Sequence, residues 1–192
     1  EQTVAAEASA IRTGDESTYL GIQTNTGGWG VLQDRVLIDY RQRGDRLIAV
    51  GEITNLTIAE TQARVSLQEV LDGKPYEVVW FYEYDGGAWK HVPPQVDYWG
   101  EQTRLTGSHV TVTAPALDGD QAATVQTHID DWWQTACRLT HCGSAGPKPI
   151  TVKLEFDLDL KPHWSPDDLT VLELPSPHLG RVPADGSLNP ET

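Results

Sequence analysis

Residues 4 to 23 carry helix formers at helical spacing: Ala5, Ala6, Ala8 and Ile11, then Tyr19, Leu20 and Ile22, interrupted by Thr13-Gly14-Asp15. That pattern predicts two short helices, or one helix bent at Gly14. Asn25 to Gly30 reads as a loop around Trp29. Val31, Leu32, Val36, Leu37 and Tyr40 then recur three or four apart and predict a further helix over 31–41.

The period then changes to two. Residues 46–53 (RLIAVGEI), 61–71 (TQARVSLQEVL), 76–84 (YEVVWFYEY) and 88–92 (AWKHV) read as strands. Asp72-Gly73 and Asp85-Gly86-Gly87 are turn sequences short enough to make antiparallel hairpins. Thr54 to Glu60 reads as a longer connection. Helices followed by a curling antiparallel sheet predict an α+β arrangement, with the helices on one face of the sheet.

Pro93-Pro94 cannot continue a sheet interior, because proline removes a ladder donor. Seven of the fifteen aromatic residues lie between Trp80 and Gly100, so this stretch reads as the seam between two units, 1–100 and 101–192. In the second unit, residues 109–114 (HVTVTA) predict a strand and Asp118-Gly119-Asp120 a turn. A helix is expected over 121–139, with Ala122, Val125, Ile129, Trp132, Trp133, Ala136 and Leu139 on one stripe. Ile150 to Leu160 alternates without a fault and predicts a long strand. Ser165-Pro166-Asp167-Asp168 has the cap and first-turn chemistry of a short helical turn, and Val171 to Leu174 predicts another strand. The last eighteen residues, with four prolines and little to bury, read as a surface loop or a tail.

Composition narrows the function classes. A chain of 192 residues with a net charge of −14 can bury a core but has no cationic patch for a phosphate backbone, so no nucleic-acid partner is expected. No apolar run is long enough to span a bilayer, although a longer parent could be anchored. Methionine is absent, so Glu1 is not an initiator residue. Glu1-Gln2-Thr3 suits the region after a removed signal peptide or membrane anchor, which points to an extracytoplasmic location. Cys137 and Cys142, the only cysteines, lie too few for a zinc site. They fit either a disulfide closing a helix end in an oxidising compartment or two free thiols.

The element order over residues 4 to 92 resembles the nuclear-transport-factor-two-like (cystatin-like) domain, whose helices pack on a strongly bent sheet to form a cone. The run WKHVPPQVDYWGEQTRLTGSHVTVTAPALDGDQAATVQTHIDDWWQTACRL, followed by PITVKLEF, resembles the region that joins such a domain to the opening strand and helix of peptidase MA-like (gluzincin) domains. Those peptidases carry H-E-x-x-H on one helix face, where i and i+4 side chains converge on zinc. No H-E-x-x-H occurs in this sequence, so no catalytic residue, metal ligand or cofactor carries over.

If the cone is present, Trp29, Trp80, Tyr82, Tyr84, Trp89 and His91 are the residues expected to line its mouth and bind a small apolar ligand. Ordinary aromatic core is the alternative account of the same residues. Asp85 and His91 are the nearest acid and base for pocket chemistry, although Asp85 has a backbone reason to sit in its turn. His128, Asp130 and Asp131, and likewise Asp157, Asp159 and His163, read as solvated surface rather than metal sites. Asn55-Leu56-Thr57 matches a glycosylation acceptor. There is no G-x-S-x-G elbow and no phosphate-cradling glycine loop. These readings converge on a non-catalytic extracytoplasmic interaction or ligand-sensing module of a bacterial surface protein, as the N-terminal part of a peptidase-like protein, with an unknown protein or small molecule as partner. The alternative is a small-molecule enzyme working in the cone pocket, and a third reading makes residues 105–192 the amputated front of a metallopeptidase.

Overall fold

The computed structural model describes residues 1–142 and 148–187. The fold is α+β and divides into two compact units, Glu1–Gln95 and Val96–Thr192.

In the first unit, helix α1 (Gln2–Thr13) ends at Gly14, whose φ of 69° lets its N–H turn back onto the carbonyls of Ala10 and Ile11. Asp15 then caps helix α2 (Glu16–Ile22), accepting from the Thr18 N–H at 3.1 Å and the Thr18 hydroxyl at 2.7 Å. These bonds from Thr18 hold the Asp15 carboxyl below its ordinary range. Helix α3 (Trp29–Arg43) starts two residues before the expected one.

Strands β1 (Leu47–Ala59), β2 (Gln62–Leu71), β3 (Lys74–Asp85) and β4 (Ala88–Val92) pair in that order, each antiparallel to the next. The β2–β3 turn uses Asp72 and Gly73, both at positive φ, which is the twist a two-residue hairpin requires. One face of β2 alternates Ala63, Val65, Leu67, Glu69 and Leu71 into a core shared with Val4, Ala8 and Ile11 of α1 and with Leu37 and Tyr40 of α3. Gly51 marks the closest approach: its φ is 87°, and a Cβ there would lie 2.3 Å from the Cβ of Ala8.

Residues 54–59 are not a connection. They continue β1, with Asn55 opposite Ser66 and Ala59 opposite Gln62. The register shifts between Ile48 and Glu52 and again between Ile53 and Asn55, and each irregularity moves the side-chain alternation out of phase. That loss of phase is why a period of two fades from the sequence while the strand goes on.

The second unit places strands in the order β5 (Gln102–Thr106), β6 (Val110–Pro115), β7 (Ile150–Glu155), β9 (Val171–Pro175) and β8 (His163–Trp164). β6, β7 and β9 run parallel, and the two outer strands run antiparallel to their neighbours. Helix α4 (Gly119–Thr140) makes the crossover from β6 to β7 and packs Ala122 and Val125 against Val110, Val112, Val152 and Leu154. β5 has no expectation behind it in the sequence, because QTRLT is an exposed edge strand with no apolar alternation.

Two further expectations fail here. β7 stops at Glu155 instead of reaching Leu160. Phe156 leaves the sheet to pack its ring 4.2 Å from that of Trp99, and Asp157 turns the chain by accepting the Asp159 N–H at 2.9 Å. Residues 165–168 form no helical turn. Asp168 instead accepts from the N–H and hydroxyl of Thr170 in an Asx turn that feeds β9 directly.

Candidate functional site

The β3–β4 hairpin sets Tyr82 opposite His91 and Tyr84 opposite Trp89. Because alternate residues of a strand share a face, Trp80, Tyr82 and Tyr84 project together. Trp29, the first residue of α3, meets the imidazole of His91 edge-on at a centroid distance of 5.4 Å, while Trp80 lies at 5.5 Å and Tyr82 at 5.1 Å. Three of the six expected ligand-binding residues therefore converge on the imidazole of a fourth, His91. Tyr84 and Trp89 pack against each other, one rung further along the hairpin, and Tyr84 is exposed.

The acid beside His91 is not Asp85, which stays in its turn. It is Glu7, whose Oε1 lies 2.7 Å from His91 Nδ1 across 84 residues of sequence. Gln23 Nε2 donates to the same oxygen at 2.8 Å, and the Tyr82 hydroxyl donates to Oε2 at 2.8 Å. Glu7 is 0% exposed and His91 5%. Three polar groups therefore meet the Glu7 carboxyl, and both of its oxygens are engaged. The backbone braces the group: Thr24 donates to the carbonyl of His91, and Lys90 Nζ to that of Gly21.

Burial pushes both nearby phenols up. Tyr82 is raised first by desolvation and then by the charge of Glu7, and Tyr19 by desolvation and then by Glu7 and Glu69. Both therefore act as donors, Tyr19 to Gln33 Oε1 at 2.5 Å and Tyr82 to Glu7. Tyr40 likewise donates to the buried Glu69 at 2.7 Å.

A carboxylate–imidazole pair is the hardware of general acid–base catalysis, but it needs a substrate within hydrogen-bond reach. Here the rings of Trp29, Trp80 and Tyr82 surround the imidazole. The unspent polar capacity is small: Gln23 Oε1 and Trp29 Nε1 are buried without a hydrogen-bond partner among the described residues. Glu7 had a legible signal, since it stands on the same helix face as Val4 and Ile11, where an apolar residue is expected. Glu69 breaks the inward alternation of β2 in the same way.

The second unit has its own buried carboxylate. Asp118, also 0% exposed, lies 2.6 Å from His178 Nδ1 and accepts the Ser176 hydroxyl at 3.0 Å. Ser176 in turn accepts the Trp99 indole N–H at 2.7 Å. Serine, histidine and aspartate meet here, yet the hydroxyl points at the carboxylate rather than the imidazole, so nothing activates it as a nucleophile.

Asp130 holds the backbone N–H groups of Ser108 and His109 at 3.0 and 2.7 Å, which is a structural role. His163 approaches Glu173 at 3.5 Å, away from the Asp157 turn. No cluster of three metal-ligating side chains occurs among the described residues. Cys137 and Cys142 are joined in a disulfide that ties the last turn of α4 to the second residue beyond it. Beside it Trp132, Trp133, Ala136, Trp164 and Leu169 line an apolar cavity of about 410 Å³, with Trp132 63% exposed. The apolar stripe of α4 is thus buried in its first half and open in its second. No helix is long and apolar enough to cross a membrane among the described residues.

No protein-family model matches the chain, and no curated protein matches it either.

Proposed function

We propose that this chain is a non-catalytic interaction or ligand-sensing module of a bacterial extracytoplasmic protein. The observation that carries the reading is the closure of the aromatic cluster. Trp29, Trp80, Tyr82 and His91 are core, and Glu7 spends its carboxylate on Gln23, Tyr82 and His91. The open second half of α4 supports a partner-binding role, since a contiguous exposed apolar face is what contact surfaces carry. The Cys137–Cys142 disulfide supports an oxidising compartment.

The competing small-molecule enzyme would use Glu7 and His91 as its acid–base pair, and stability separates the two. Functional polar groups are commonly held at a cost, so their replacement leaves an enzyme as stable or more so. Under the core reading, Glu7→Gln loses charge-assisted bonds and lowers unfolding free energy by about 1–3 kcal/mol in urea. A Glu7→Gln protein as stable as the parent overturns the core reading. Location is tested by alkylating intact cells: Cys137 and Cys142 should resist a thiol reagent until reduced, and labelling without reductant refutes the oxidising compartment.

A further inference from the structure

A second cavity, of about 530 Å³, lies in the first unit where the end of α1, the end of α3 and the start of β1 meet. Its apolar walls are Ile11, Leu47, Ile48 and Val50, and Ile48 is 57% exposed although it is an isoleucine on a strand. Two guanidinium groups stand on the same lining, Arg12 and Arg41. In a chain of net charge −14, cations normally find acidic partners. Arg41 does so in part, reaching Glu16 at 3.2 Å and the carbonyl of Gly14 at 3.0 Å. Arg12 is different: its Nη1 donates to the carbonyl of Val50 at 2.9 Å, and it has no carboxylate partner among the described residues.

That single backbone bond aims the guanidinium and leaves most of its five donors unspent. The fork matches a carboxylate bidentately. Apolar wall and unspent fork stand side by side, which selects for a ligand with both characters.

We propose that this cleft binds a small organic acid with an apolar body, its carboxylate on Arg12 and its hydrocarbon against Ile11, Ile48 and Val50. The site shares no residue with the buried Glu7 cluster and goes beyond the interaction role proposed above. Arg41, tied to Glu16 and Gly14, forms the far cationic edge. Glu16 repels a second negative charge, so monocarboxylates are preferred over dicarboxylates.

Isothermal titration calorimetry of the intact chain with decanoate tests this, with decanol and decylammonium as matched probes. Decanoate should bind, decylammonium should not, and Arg12→Gln should weaken decanoate by about tenfold or more, the value of a charge-assisted bidentate contact. Ile48→Asp, at an exposed position that leaves the core intact, should weaken it similarly by repulsion. The proposal is overturned if decanoate does not bind, if decanol or decylammonium binds as well as decanoate, or if Ile48→Asp, folded with the parent's unfolding midpoint, binds decanoate with parental affinity.

Discussion

Each unit buries one carboxylate against one histidine, and the two pairs are built differently. Glu7 receives donors on both oxygens, and its histidine is walled in by three aromatic rings. Asp118 places both of its partners on Oδ1 and leaves Oδ2 buried with no partner among the described residues, while the His178 side chain is 16% exposed. The partners also differ in kind. Glu7 joins a helix to two strands of the sheet, whereas Asp118 joins a helix start to the short turn Pro177–Leu179. A buried carboxyl with both oxygens engaged locks elements together; one with a single oxygen engaged fastens a segment and recovers less of its desolvation cost.

The largest effect is expected at Glu7. Glu7→Ala strands the donors of Gln23, Tyr82 and His91 in the core and should cost about 3–5 kcal/mol in urea unfolding, the range for breaking a buried pair. A loss no larger than that of Asp118→Ala would erase the contrast.

Alkaline pH should separate the units next. Tyr19 and Tyr82 have folded values raised above 10.0, so their contribution is intact below pH 10 and is lost as pH rises through the folded values. Each should remove about 1.4 kcal/mol per pH unit above 10, and Tyr82→Phe should reduce that slope. A flat stability profile between pH 10 and 11 contradicts the buried-donor assignment.

Asp118→Asn should cost less, about 1–2 kcal/mol. Amide hydrogen exchange should show the loss concentrated around Ser176 to Leu179, whereas Glu7 variants should loosen α1, β3 and β4 together. The smallest effect belongs to Tyr84→Ala, which removes an exposed ring and should change stability by less than about 1 kcal/mol. A larger loss would extend the closed cluster to the tip of the hairpin.

Much of the frame was legible because it rests on local rules. The Gly14 break, the Asp72-Gly73 turn and the alternation of β2 are imposed by backbone sterics and by a two-residue period, both written residue by residue. The same rules misled at Ile150 to Leu160, where a faultless alternation outran the strand. The strand ends at Glu155, and Phe156 packs its ring on Trp99. They were silent at β5, an edge strand whose pairing with β6 supplies what its side chains do not. Pairing of this kind is a property of the neighbour.

The six aromatic and histidine candidates were found by type, but what they do was not. Their roles depend on Glu7, which sits 84 residues from His91 and reaches it only once α1 packs on the sheet. The sequence by itself determined the order of the first unit's helices and strands, which faces are apolar and that Glu7 and Glu69 interrupt those faces. Only the tertiary structure decided that these carboxylates are satisfied struts, that the aromatic cluster is closed, and that Arg12 faces an open apolar cleft without an acidic partner among the described residues. The physical reason is range: backbone propensity acts within a few residues, whereas desolvation and hydrogen-bond satisfaction depend on whatever the rest of the chain brings into contact.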